Sequence, residues 1–295
     1  MPRLHLLDGT YELFRAHFSK RPGRTDAQGR DVKATVGVVN AVLALLDDEA
    51  EAVTHLAVAF DNPITSWRND RFAGYKDGAD TDPALLAQFD RVEDAVAALG
   101  VTVWSMQRHE ADDALATAAV RFVDQVDQVR ILTPDKDLGQ VVSGERIVQI
   151  DRLRDRHYDE AGVVERSGVP PASVPDLLAL VGDTADGIPG LPGFGAKSAA
   201  AVLTRYGHLE AIPDDAADWD VTVRGAARLA QTLAERRDDA ELYRDLARLD
   251  LDVELPHTLE DLAFHGVPRT RFLAACDALD ATTLRDRPTR WADPA

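Results

Sequence analysis

The sequence has a single cysteine, Cys276, and two methionines; aromatic residues make up 6% of it, and basic residues number 33 against 51 acidic ones. One cysteine rules out an internal disulfide and fits a reducing compartment. It lies in "RFLAACDAL" among helix-spaced apolar residues, where a free thiol is expected to serve as core. No apolar run approaches the roughly 18 residues that a membrane span needs. The start "MPRLHLL" has no targeting pattern, so a cytoplasmic chain without a membrane partner is expected. The shortage of positive charge leaves a formal net charge of −18, which taken alone argues against a phosphate-binding protein. The objection is answered if the carboxylates are concentrated where cations sit.

What is present is an alternation. The chain of 295 residues is 45% hydrophobic, enough for a sizeable core. The runs "LHLLDG" (4–9), "HLAVAFD" (55–61), "VTVW" (101–104) and "VRILTPDKD" (129–137) read as buried parallel strands, with "RIVQID" (146–151) a further one. Between them "ATVGVVNAVLALLDDEA", "PALLAQFDRVEDAVAALG" and "EADDALATAAVRFVDQ" carry apolar residues at helical spacing. The alternation predicts an α/β fold with a doubly wound, mainly parallel sheet flanked by helices. In such sheets the ligand crevice lies beyond the carboxyl ends of the strands, where Asp8, Asp61, Asp135 and Asp137 fall. After about residue 165 the strand signals stop, and proline and glycine separate helical stretches. The expected division is therefore an α/β core over 1–165, a helical region over 166–285 and a frayed tail over 286–295, with "IPDDAADWD" a solvated linker.

Further acids cluster at element ends. "HEADDALA" places Glu110, Asp112 and Asp113 at a helix start, Glu110 and Asp113 on one face and Asp112 turned away from it. Capping of the helix dipole is one reading of that trio, and turns are one reading of the pairs Asp135 and Asp137, and Asp183 and Asp186. Nine carboxylates facing one crevice would repel one another, raising each other's pKa or forcing the site apart, unless cations intervene. Oxygen ligands suit Mg²⁺ or Mn²⁺, and the absence of a cysteine or histidine cluster argues against zinc. Two such ions about 4 Å apart are a known device for phosphodiester cleavage: one activates water, and both stabilise charge on the attacking and leaving oxygens.

The acids at 183 and 186 run into "GIPGLPGFGAKSAA", a glycine- and proline-rich hairpin that opens a helix at Gly195-Ala196-Lys197-Ser198. An ordinary turn between helices is one reading. The other is a phosphate site, in which glycine permits close approach, the first helical N–H groups donate to oxygens and Lys197 adds charge.

Taken together, "LLDGTYELFRA", "VAFD", "YK", "EADDALATAA", "TPDKDLGQVV", "GDTADGIPGLPGFGAKSA" and "LDLDVEL" appear in the order and spacing of a known family. Over about residues 3–280 the chain resembles the 5′-to-3′ exonuclease domain of bacterial DNA polymerase I and the related flap endonucleases, here expected in stand-alone form. The resemblance implies a PIN-like 5′-nuclease core, a helical arch at about 62–90 and a helix-three-turn-helix at about 176–206. It implies one metal site at Asp8, Asp61, Glu110 and Asp112 and another at Asp113, Asp135, Asp137, Asp183 and Asp186. It places Arg15, Lys76 and Tyr75 near the scissile phosphate, with the Tyr75 ring stacking on a terminal base. Gly190, Gly193, Gly195, Lys197, Ser198 and Arg224 would grip duplex DNA, often in this family through a K⁺ ion held by hairpin carbonyls. The implied partners are DNA with 5′ flaps, branches or duplex ends and a functional link to a DNA polymerase and ligase, with the chain a monomer. Two departures stand out: "DGADTD" follows "YK", with Ala79 where the family usually has a basic residue, and Gly187 replaces a common asparagine. A non-catalytic DNA-junction binder and a nuclease acting on RNA or RNA–DNA hybrids remain the alternatives.

Overall fold

The computed structural model describes residues 2–292, and within it the chain divides into two compact units. The first comprises residues up to 66, 78–133 and 251 onward; the second comprises 67–77 and 134–250. This grouping differs from a sequential split at 165, because 67–77 and 134–165 pack with the helical part and 251–292 pack with the sheet.

In the first unit, β1 (Arg3–Asp8), β2 (His55–Asp61), β3 (Thr102–Met106) and β4 (Gln128–Leu132) form parallel strands in the order β3-β2-β1-β4. Their apolar runs are continuous because helices cover both faces of such a sheet. Leu4, Leu6, Val58, Phe60 and Ile131 are fully enclosed. The register sets Asp8 opposite Ala59 and Asp61 opposite Met106, so both aspartates lie at strand carboxyl ends. β4 stops at Leu132, so "TPDKD" leaves the sheet instead of extending it, and Lys136–Val141 winds as a 3₁₀ turn. The helix expected over 83–100 is two, Pro83–Leu86 and Phe89–Ala97. Between them Gln88 is fully buried, its Oε1 accepting from the N–H and hydroxyl of Thr35. The tail expected to fray is held as far as the described residues run. Trp291 bridges to Val267, packs on Phe272 and lies under Arg269; residues 293–295 lie outside the description.

In the second unit, β5 (Ile147–Asp151) pairs antiparallel with the short β6 (Arg156–Tyr158), a strand the hydrophobic pattern does not show. Helices Glu160–Ser167, Val174–Val181, Ala196–Tyr206, Ala226–Glu235 and Arg237–Ala247 follow. They share a core of Val174, Leu178, Val202, Leu203, Leu233 and Leu246 among others. The acidic stretch 212–220 is anchored, not solvated throughout: Ile212 and Trp219 are buried, and Trp219 Nε1 donates to the Pro213 carbonyl (2.8 Å). Among the described residues no helix is long and apolar enough to cross a membrane.

Candidate metal centre

The first unit carries five of the nine acids. Asp8 ends β1 and caps helix Gly9–His17: its Oδ1 accepts from the Tyr11 N–H (2.8 Å), and its Oδ2 from the Thr133 hydroxyl (2.9 Å). Asp61 ends β2, and its Oδ1 accepts from the Ala111 N–H (2.6 Å), the first residue of helix Ala111–Phe122. Glu110 caps that same helix and accepts from the Ser66 hydroxyl (2.7 Å), while its own N–H donates to Asp113 Oδ2 (3.0 Å). Orphan N–H groups and the positive end of the helix dipole thus hold Asp61, Glu110 and Asp113 around one helix start. Asp113 is wholly enclosed and forms the reciprocal half of this cap. Asp112 is half-buried on the same turn. Arg15, on helix Gly9–His17, is about a third exposed (35%) and ion-paired with the buried Glu12.

The second unit carries the other four. Asp135 caps the 3₁₀ turn through the Asp137 N–H (3.0 Å). Asp183 is buried; its Oδ1 accepts from the Ala185 N–H (2.9 Å), and its Oδ2 lies 2.7 Å from Lys136 Nζ. Asp186 Oδ1 lies 2.9 Å from Lys76 Nζ. Asp137 is buried, and its Oδ1 has no hydrogen-bond partner. Burial first, then the charges of Asp135, Asp186 and Asp183, push the Asp137 carboxyl well above the usual carboxylate range, against a smaller opposing pull from Lys136. Burial works against the Lys136 ammonium, but the hydrogen bond and charge of Asp183, with Asp137 and Asp135 behind it, outweigh burial and raise its pKa. Lys136 is the residue that sequence reasoning passed over; the signal was its place between two acids in "TPDKDL".

An orphaned oxygen within mutually repelling carboxylates is the environment a hard cation relieves. Among the described residues, however, no group of three or more histidine, cysteine, aspartate or glutamate side chains is arranged to hold a metal ion by itself. Mg²⁺ keeps several waters, so carboxylates can reach it through water as well as directly.

Two of the expected residues are enclosed. Tyr75 is 4% exposed and belongs to the core of the second unit, its hydroxyl at a long 3.5 Å from Asp186 Oδ2, so in this structure its ring packs inside the unit. Gly190 is buried with φ +69, and a Cβ there would stand 2.5 Å from the Val181 main chain, so the chain reversal at that point requires glycine. Other hairpin residues are open, though Leu191 and Phe194 are buried in the unit's core. Gly193, Gly195 and Lys197 are exposed, nothing lies within 4 Å of a Cβ at Gly195, and Ser198 Oγ accepts from the Gly195 N–H (3.0 Å) at the start of helix Ala196–Tyr206. Arg224 is exposed one residue before the cap of helix Ala226–Glu235.

The chain thus combines an α/β unit with acids at the ends of its parallel strands and a helical hairpin unit with more acids at its loop. The model of the 5′-3′ exonuclease N-terminal, resolvase-like domain matches residues 3–168, and that of the 5′-3′ exonuclease C-terminal SAM fold matches 169–270; the chain belongs to the 5′-3′ exonuclease family. It is 33% identical over 265 residues to a 5′-3′ exonuclease of Aquifex aeolicus, covering 89% of this chain and 86% of that one. It is 32% identical over 296 residues to DNA polymerase I of Rhizobium leguminosarum, covering 98% of this chain but 28% of the polymerase. The chain thus spans under a third of the polymerases it matches. Among solved structures, T5 5′-exonuclease with bound zinc superposes with a TM-score of 0.66 at 18% identity, over 84% of this chain and 90% of that one. The catalytic core of Rad2 in complex with DNA substrate superposes with 0.59 at 16% identity, over 94% and 86%. At those identities the likeness concerns the fold.

Proposed function

We propose that the chain is a metal-dependent, structure-selective 5′ nuclease that hydrolyses DNA phosphodiesters at 5′ flaps or duplex ends. The observation that supports this reading most is the unpartnered, buried Oδ1 of Asp137 amid the charges of Asp135, Asp183 and Asp186, in a member of the 5′-3′ exonuclease family. Asp135, Asp137, Asp183 and Asp186 would hold one Mg²⁺ or Mn²⁺, and Asp8, Asp61, Glu110 and Asp112 a second, with Asp113 supporting Glu110. Such a pair supplies Lewis acidity to the phosphate and lowers the pKa of water. The chain's own residues do the remaining work. Lys76 and Arg15 donate to phosphate oxygens and offset charge as it develops. Lys136 fixes the Asp183 carboxylate. Gly193, Gly195, Lys197, Ser198 and Arg224 hold the phosphate backbone without reading bases, with K⁺ bound at hairpin carbonyls. The chain acts in the cytoplasm as a monomer beside a polymerase and ligase.

The test is a labelled 5′-flap DNA, a blunt duplex and a matched RNA, each with Mg²⁺ and with EDTA. Mg²⁺-dependent cleavage of DNA and none of RNA is expected. Asp135→Ala and Asp183→Ala should each lose more than ~100-fold in rate while DNA affinity changes little. Full activity in either variant, or in EDTA, refutes the metal assignment. Tight binding without cleavage by the unaltered chain identifies a junction-binding relative.

A further inference from the structure

Segment 67–77, which carries Lys76, belongs to the second unit and is held by contacts within itself and to the rest of that unit. Arg68, 1% exposed, donates from Nε to the Leu246 carbonyl (2.8 Å) and from Nη2 to the Arg248 carbonyl (2.9 Å). These carbonyls lie at the end of helix Arg237–Ala247, where no intrahelical donor remains. Asn69 Nδ2 donates to the Lys76 carbonyl (2.9 Å), with the Tyr75 carbonyl at 3.4 Å. The Lys76 N–H donates to the Asp186 carbonyl (3.0 Å). At the next residue the two segments come closer still. Gly187 has φ +77, and a Cβ on it would stand 2.1 Å from the Gly74 carbonyl oxygen.

We propose that Asn69 and Gly187 are positioning residues for Lys76. The Asn69 amide ties the 75–76 carbonyls back to the start of their own segment, the bare Cα of Gly187 lets 74–76 lie against 186–187, where the Lys76 N–H bonds the Asp186 carbonyl, and together these set the Lys76 ammonium 2.9 Å from Asp186. A lysine carries its charge on a flexible four-carbon stem, so its place is only as defined as the backbone from which it starts. The close approach also gives a reason for the departure at 187: no side chain is compatible with the Gly74 carbonyl at that distance. The inference rests on the nuclease reading in one respect, that Lys76 is the group that meets the phosphate.

The test uses the full chain with Asn69→Ala, Gly187→Ala and Lys76→Ala, singly and combined. In metal-free protein, deuterium exchange at the amides of residues 75–77 should quicken about tenfold in Asn69→Ala, the order expected for one lost hydrogen bond, and at least as much in Gly187→Ala. Exchange in helix Ala111–Phe122 should stay unchanged. On 5′-flap DNA with saturating Mg²⁺, both variants should lower kcat about tenfold at unchanged KM and add nothing in a Lys76→Ala background. Unchanged exchange at 75–77, or losses that multiply with that of Lys76→Ala, would overturn the proposal. If Gly187→Ala does not fold, Asn69→Ala decides alone. If the unaltered chain cleaves nothing, the nuclease reading fails while the exchange measurement still decides the positioning.

Discussion

Lys136 Nζ stands 2.7 Å from Asp183 Oδ2, so an ammonium in the turn after β4 neutralises a carboxylate of the loop between helices Val174–Val181 and Ala196–Tyr206. The pair lies beside Asp137, whose carboxyl is pushed well above its usual range by burial and by the acids around it. With Lys76, 2.9 Å from Asp186, this lysine offsets part of the charge of these acids.

Lys136→Met removes that compensation without removing a carboxylate. The lysine side chain is half exposed, which limits the pair to about 1 kcal/mol. Tm in EDTA should fall by about 2 °C, and the upward shift on adding Mg²⁺ should grow, because a divalent ion then relieves more repulsion. Calorimetry with and without Mg²⁺ checks it; an identical Mg²⁺ shift in both proteins would sink the idea that lysine and metal serve the same charges.

A second prediction concerns acid stability. His5 Nε2 lies 2.9 Å from Glu51 Oε2, and Arg130 donates to both Glu51 oxygens (2.7 and 3.0 Å). Burial alone would raise the Glu51 pKa, but the hydrogen bonds and charges of His5 and Arg130 overcome it and hold the carboxyl down at about 2, against an ordinary 4.5. A depressed carboxylate contributes stability that is fully present above 4.5 and is lost as pH falls through about 2. His5, whose pKa is lowered chiefly by burial, acts in the same direction: it resists protonation, so stability also declines as pH drops below its ordinary 6.5. Glu51→Gln should therefore cost about 3 kcal/mol at pH 7 and flatten the loss below pH 4.5. Urea titrations at stepped pH measure both, and an unchanged slope below 4.5 contradicts the assignment.

Tyr75 separates packing from stacking. Tyr75→Ala should cost about 3–5 kcal/mol by opening a cavity in the second unit's core, whereas Tyr75→Phe should leave stability within about 1 kcal/mol. A Tyr75→Ala protein as stable as the parent, but with weakened flap binding, would restore the ring to the DNA.

β1 and β2 were legible because a strand buried on both faces is an unbroken apolar run, and Asp8 and Asp61 mark where each leaves the sheet. β6 was not, since Arg156, His157 and Tyr158 become a strand only through pairing with β5. Gln88 breaks a helix pattern that apolar spacing shows as continuous, and its reason is the distant Thr35. The candidate acids could be read from their places at element ends. Their partners could not: the ion pair of Lys136 with Asp183, the enclosure of Asp113 and the burial of Tyr75 and Gly190 depend on which segments meet in space.

Asp61 both ends a strand and, through Oδ1, fastens the Ala111 N–H that begins another helix. Its replacement by alanine would loosen that helix start, while asparagine would keep an acceptor there and discard the charge. One carboxylate thus carries two separable duties, an acceptor that the helix start needs and a charge that it does not, and the amide variant divides them.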